Sequence, residues 1–149
     1  MASTPNWFAI FMLVAWPVVA VILYVYRPVN KATLWTILGA QLLLPVGASI
    51  KFEGIPQFDK TSIPNLAALA GCILILRRPP RIFSGFGLTS IFVLMSIIGP
   101  FITAELNTDS ISFPRLLLPA ETHYDALSAI VFQFIALIPF FLGREVLRN

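Results

Sequence analysis

Charged residues are scarce in this chain of 149 residues. They make up 11% of the sequence, whereas soluble domains carry about 25%. So small a charged fraction excludes an ordinary water-soluble domain, whose surface would need many more charged side chains. The ten basic residues are scattered between apolar runs and the net charge is only +3, which does not indicate a nucleic-acid-binding surface.

Cysteine and histidine, the usual ligands of zinc, each occur only once. Cys72 lies in an apolar run and cannot form an internal disulfide, so we interpret it as a small packing residue. His123 has no second histidine and no nearby cysteine with which to bind a metal. No spacing in the sequence matches a nucleophile triad, a phosphate-binding loop or a zinc-binding helix. The sequence therefore predicts no metal site and no cofactor.

Apolar residues are abundant instead, at 58% of the chain, and the mean hydropathy is +0.87. They form five runs, and a transmembrane helix needs about 20 such residues. In the first run, Trp7 at one end and Tyr24 and Tyr26 at the other are expected in the membrane interface. We predict an all-α polytopic membrane protein with about five transmembrane helices, folded as a single helical membrane unit (1–149). The predicted spans lie roughly at residues 7–26, 32–50, 62–76, 82–104 and 126–143.

The third run is short, because its residues reach only about 22 Å as a straight helix. It either crosses as a short span or re-enters the membrane, and the sequence leaves both open. Before it lies the polar segment Lys51–Ser62, whose last residue is expected to cap the helix. Ala67 and Gly71 have a spacing suited to close contact between helices.

Lysine and arginine are distributed unevenly between the two sides of the predicted bundle. Cytoplasmic turns of membrane proteins carry an excess of these residues. The bias predicts a cytoplasmic C-terminus, and it places the N-terminus, the polar segment Lys51–Ser62 and the loop Glu105–Asp125 outside. Seven of the ten basic residues lie on the predicted cytoplasmic side, namely Arg27, Lys31, Arg77, Arg78, Arg81, Arg144 and Arg148.

The outer polar segments contain the residues best able to act chemically. An arginine or a histidine near a membrane surface can hold a phosphate or move a proton. The adjacent Asp59 and Lys60 can do the same, or can pair with each other. Glu121 is close enough in the sequence to partner His123. Spacing alone assigns no catalytic residue, and the candidate outer-face residues are Asp59, Lys60, Arg115 and His123.

Residues 54–69, GIPQFDKTSIPNLAAL, follow an apolar run broken by Pro and Gly and open a Leu/Ala-rich run that ends in RRPP. This succession resembles the N-terminal part of bacterial exopolysaccharide polymerases and O-antigen ligase-like membrane proteins. The resemblance implies a multi-pass protein of the bacterial inner (plasma) membrane. It also implies a glycosyltransferase-like activity that joins sugar chains carried on undecaprenyl pyrophosphate at the outer face, without metal or nucleotide. The functional arginines and histidine of that family lie in a large external loop toward the C-terminal half.

The chain departs from the family because its apolar runs end after the fifth. No catalytic residue of the family is therefore carried over to a position here. We expect an N-terminal fragment of a polymerase or ligase, inactive alone. Its expected partners are the lipid bilayer, an undecaprenyl-linked glycan, and other membrane subunits or a missing C-terminal half. Two alternatives stay open: a small oligomeric transporter or flippase subunit with Gln41 and Gln133 along its path, or a non-catalytic membrane scaffold.

Cysteine labelling in intact cells tests the predicted topology. Gln57→Cys and Thr108→Cys should each react with a membrane-impermeant thiol reagent, because both positions are predicted to lie outside. Pro80→Cys should not react, because it is predicted to face the cytoplasm. The reverse labelling pattern would show that the orientation is inverted.

Overall fold

A computed structural model describes residues 6–52, 55–76, 87–107, 111–113, 116–118 and 123–146. These residues form helices and short strands. The helices are α1 (Trp7–Tyr26), α2 (Val29–Leu43), α3 (Ser62–Leu76), α4 (Leu88–Leu106) and α5 (His123–Val146). The strands are β1 (Ser49–Phe52), β2 (Ile55–Asp59), β3 (Ile111–Phe113) and β4 (Leu116–Leu118).

Within this described part of the chain, α1, α4 and α5 are long and apolar enough to cross a membrane. α1 and α3 have the predicted bounds, whereas α5 extends beyond the predicted span at both ends. α4 begins at Leu88, and the predicted start at residue 82 lies outside the described residues. α2 and α3 have 15 residues each, fewer than the roughly 20 that a span needs. The five predicted crossings therefore stay a prediction.

The second predicted span, residues 32–50, is wrong at its C-terminal end. α2 ends early because Pro45 has no N–H to donate and disfavours helical angles at the residue before it. Leu44 accordingly has extended angles, with φ −78° and ψ 140°. Gly47, with φ 82°, supplies the left-handed conformation that turns the chain toward β1. The apolar run outlasts the helix because Leu44 and Ala48 are buried in the core.

The strands form two small sheets, which the all-α prediction did not include. β1 pairs with β2 across a connection of two residues, and so short a connection joins only antiparallel strands. These two strands are the first hairpin (49–59), and they fold most of the polar segment Lys51–Ser62. β3 pairs with β4 in antiparallel register, with Ser112 opposite Leu117.

The described residues divide into two compact units. The first contains α1, α2, α3 and the part of α5 from Ile135 onward. The second contains α4, β3, β4 and the part of α5 that ends at Phe134. In the second unit, the Gln133 side chain on α5 donates from Nε2 to the Ser96 hydroxyl on α4 at 2.6 Å. This bond satisfies an amide between two apolar helices, as membrane interfaces require.

The first unit has two buried clusters. Leu13 and Trp16 of α1 belong to the first cluster together with Leu44 and Ala48, and the Trp16 indole donates to the Thr36 carbonyl at 3.0 Å. The second cluster joins α3 to α5. Its α3 members include the cysteine, which is 0% exposed and packs as the sequence predicted. The buried members of this second cluster are Ala68, Cys72, Ile138, Leu142 and Val146.

Tyr24 joins α1, α2 and α3. Its hydroxyl lies 2.8 Å from the Thr33 hydroxyl of α2 and donates to the Ala68 carbonyl of α3 at 3.1 Å. Gly71 gives the ring room, because a Cβ there would lie 2.5 Å from two ring carbons. Tyr24 is 6% exposed, whereas Tyr26 is 80% exposed, and the expected interfacial position of both stays a prediction.

Pro139 interrupts the hydrogen bonding of α5 and Asn65 repairs it. A proline inside a helix cannot donate to the carbonyl four residues earlier, which here belongs to Ile135. The Asn65 side chain on α3 donates from Nδ2 to this carbonyl at 3.1 Å. Asn65 is 2% exposed, so water cannot take over this role. The bond therefore links α3 to α5 at the point where α5 lacks its own donor.

A double-mutant cycle on Asn65 and Pro139 tests this repair. Asn65→Leu should lower the free energy of unfolding by about 1–3 kcal/mol, because it leaves a buried carbonyl unpaired. In the Pro139→Ala background the new N–H can bond to that carbonyl, and the same Asn65→Leu change should cost less than about 1 kcal/mol. Denaturant titration in detergent micelles measures both. Equal costs in the two backgrounds would contradict the repair.

Candidate functional site at the start of the third helix

Asp59 ends the first hairpin and caps α3. Its Oδ1 accepts hydrogen bonds from the Thr61 amide at 2.9 Å, the Ser62 amide at 2.8 Å and the Ser62 hydroxyl at 3.0 Å. The first amides of a helix have no partner within the helix, so a side-chain oxygen at this position stabilises its start. Asp59 provides the cap that the sequence assigned to Ser62.

One face of α3 is buried from its first residue onward. Ser62, Asn65, Ala68 and Cys72 recur at intervals of three or four residues, which places them on the same side of the helix. None of them is more than 2% exposed. The Ser62 hydroxyl also lies 3.3 Å from the Gln57 carbonyl, a second acceptor for its one hydrogen, so both of its acceptors belong to the hairpin. Of the polar residues on this face, Ser62 therefore builds the junction between hairpin and helix, whereas Asn65 bonds to α5.

Lys60 does not pair with Asp59. Lys60 is partly buried and, among the residues that the structure describes, it forms no ion pair. Asp59 Oδ1 instead accepts hydrogen bonds from the backbone at the start of α3. Of the two, Lys60 is therefore the one whose charge stays available to a ligand.

His123 pairs with Glu105, a partner that sequence reasoning missed. Its Nδ1 lies 2.8 Å and 3.0 Å from the two carboxylate oxygens. Glu105 is in the last turn of α4 and His123 begins α5, so the pair joins the end of α4 to the start of α5. The histidine side chain is 92% exposed and the carboxylate side chain 30%. The only signal in the sequence was their position at the two ends of one loop.

Two predicted residues lie outside the part that the structure describes. These are Arg115 and Glu121, so the proposed role of the first and the pairing of the second with His123 stay predictions. Asp59 and Lys60 belong to the first unit, whereas His123 belongs to the second.

An exposed histidine beside a carboxylate can accept or release a proton. Across the described ranges, no group of three or more His, Cys, Asp or Glu side chains is placed to hold a metal. Comparison with protein-family models, with curated proteins and with solved structures gives no match for this chain.

Substitutions at Asp59 distinguish a cap from a chemical role. Asp59→Ala should lower the free energy of unfolding by about 1–2 kcal/mol, because the start of α3 loses its acceptor. Asp59→Asn keeps an oxygen in the same place and should restore most of that loss. Lys60→Ala is the matched control and should stay within about 0.5 kcal/mol of the unsubstituted protein. If Asn is as damaging as Ala in thermal unfolding, the negative charge itself is required and capping is not the main role.

Proposed function

We propose that the protein is a membrane component of surface polysaccharide assembly. In this proposal it supplies the N-terminal helices of a polymerase or ligase and is inactive alone. The observation that carries the proposal is the sequence of residues 54–69, the segment that resembles those enzymes. Asp59, Ser62 and Asn65 from this segment are committed to capping α3 and to tying it to its neighbours. A segment of this kind specifies how the helices pack, and leaves the chemistry to other residues.

The substrate would meet the exposed polar groups. An undecaprenyl-linked glycan carries a pyrophosphate, and cationic side chains recognise that group. In the second unit, His123 at the start of α5 is an exposed residue with the right chemistry. In the first unit, the partly buried Lys60 beside the first hairpin is a separate candidate, and Arg115 is a further one. This role is one of binding, since the chain alone is proposed to lack the catalytic groups.

Gln41 favours a partner within the membrane. It lies in α2 among apolar residues, it is exposed, and no described residue hydrogen-bonds to its side chain. An amide in hydrocarbon requires a partner, and helix–helix interfaces commonly provide one. Gln41 therefore supports association with another membrane subunit or a further set of helices. The same observation favours the scaffold alternative, in which the chain positions a larger membrane enzyme.

Complementation tests the proposed function. The chain should be expressed in a strain that lacks its surface-polysaccharide polymerase, first alone and then with the C-terminal half of a full-length relative. Only the pair should restore long surface glycans, measured by gel electrophoresis of the extracted polysaccharide. Gly71→Ala should abolish the rescue, because its Cβ would collide with the Tyr24 ring. Gly99→Ala is the matched control, since nothing lies within 4 Å of its Cβ position.

Each other outcome is informative. Rescue by the chain alone would contradict the proposed inactivity and would place the catalytic groups among its own residues. Absence of rescue in both arms, with the protein verified in the membrane, would reject the enzymatic proposal in favour of the scaffold.

A further inference from the structure

A groove between the end of α1 and the start of α2 combines two cations with an apolar wall. It has a volume of about 430 Å³ and is lined by Leu23, Arg27, Lys31 and Trp35. Leu23 precedes Arg27 by four residues and Trp35 follows Lys31 by four, so each apolar side chain lies about 6 Å further along its helix than the cation. The cations therefore occupy one end of the groove and the apolar side chains the other.

We propose that this groove binds an anionic phospholipid of the bilayer. Its phosphate would lie between Arg27 and Lys31, and the first part of an acyl chain would lie along Leu23 and Trp35. This site is separate from the outer polar residues discussed above, and the proposal does not depend on the enzymatic one.

The charge of the groove is uncompensated. Neither Arg27 nor Lys31 forms an ion pair with any residue in the described ranges, and both are exposed. The first turn of α2, where Lys31 lies, contains no acidic residue. Two like charges that face one groove repel each other. A phosphate between them removes this repulsion and accepts charge-assisted hydrogen bonds from both.

The surroundings select a lipid over a free phosphate. Trp35 is 60% exposed, and Val25 and Tyr26 at the end of α1 are 70% and 80% exposed. Exposed aromatic and apolar side chains at the end of a helix that is long enough to cross a membrane mark the membrane interface. Basic groups at this level attract anionic headgroups. Free phosphate would use the cations only and would leave the Leu23–Trp35 wall uncovered.

Fluorescence quenching in vesicles tests the assignment. The protein is placed in phosphatidylcholine vesicles that contain small amounts of either brominated phosphatidylglycerol or brominated phosphatidylcholine. The Trp35 signal is the difference between the unsubstituted protein and Trp35→Phe. Two cations near the membrane surface should make the brominated anionic lipid quench that signal at an about 30-fold lower concentration than the brominated neutral lipid.

Three variants separate a lipid site from a topology signal. Arg27→Gln with Lys31→Gln should abolish the preference, and Arg27→Lys with Lys31→Arg should retain it because both charges remain. Arg144→Gln removes a cation that does not line the groove and should leave the preference unchanged. Equal quenching by the two lipids in the unsubstituted protein would overturn the proposal. Displacement of the brominated anionic lipid by inorganic phosphate would overturn the assignment to a lipid, because the site would then recognise phosphate alone.

Discussion

The hydrogen bond from the Tyr24 hydroxyl to the Ala68 carbonyl links α1 to α3. Because the same hydroxyl also contacts the Thr33 hydroxyl of α2, it fixes how the three helices are aligned along their axes. In an apolar environment each polar group must find its partner within the protein, so such bonds restrict packing strongly. Gly71 makes the contact possible by leaving space for the ring. Three residues before Ala68, Asn65 forms the corresponding bond to α5. The buried face of α3 is therefore the surface on which the first unit is assembled.

This arrangement changes how the resemblance to polysaccharide polymerases and ligases is interpreted. Asp59 is a chemically attractive residue in the sequence because it adjoins a lysine. In the structure its Oδ1 accepts hydrogen bonds from the Thr61 and Ser62 amides at the start of α3. The segment is thus informative about architecture, and residues that could meet a substrate must be sought among exposed groups outside its buried face. His123 satisfies this condition, and Lys60 satisfies it only in part because it is partly buried.

Hydropathy predicted the bounds of those helices that end where their apolar run ends. The bounds of α1 and α3 follow from apolar runs that end at polar residues. Hydropathy failed at the end of α2 because Leu44 and Ala48 remain buried after Pro45 has ended the helix. The residues there remain buried although the helix has ended, and hydropathy indicates burial but not backbone conformation. The first hairpin was missed for a related reason, since its first strand, SIKF, alternates polar and apolar residues over only four positions and two of these were assigned to the apolar run before it.

The side-chain partners could not be predicted, because each joins residues that the sequence keeps apart. Asn65 and Ile135 are 70 residues apart, and His123 and Glu105 are 18 apart. Pro139 did indicate that one carbonyl of α5 lacks its donor, as a proline in a helix always does. Which side chain would supply the substitute depends on packing, and only the structure identifies Asn65.

α2 is shorter than α1, but the chain that follows α2 still reaches the first turn of α1. α2 begins two residues after Arg27, level with the end of α1, and is five residues shorter, which corresponds to about 7 Å. The chain after α2 covers that distance, since Leu44 and Ala48 are buried in one cluster with Ala9 in the first turn of α1. The first hairpin therefore starts beside the beginning of α1, whereas the cationic groove lies beside its end. Because α1 is about 30 Å long, Lys60, which follows the first hairpin, and the cations proposed for the lipid lie toward opposite ends of the first unit.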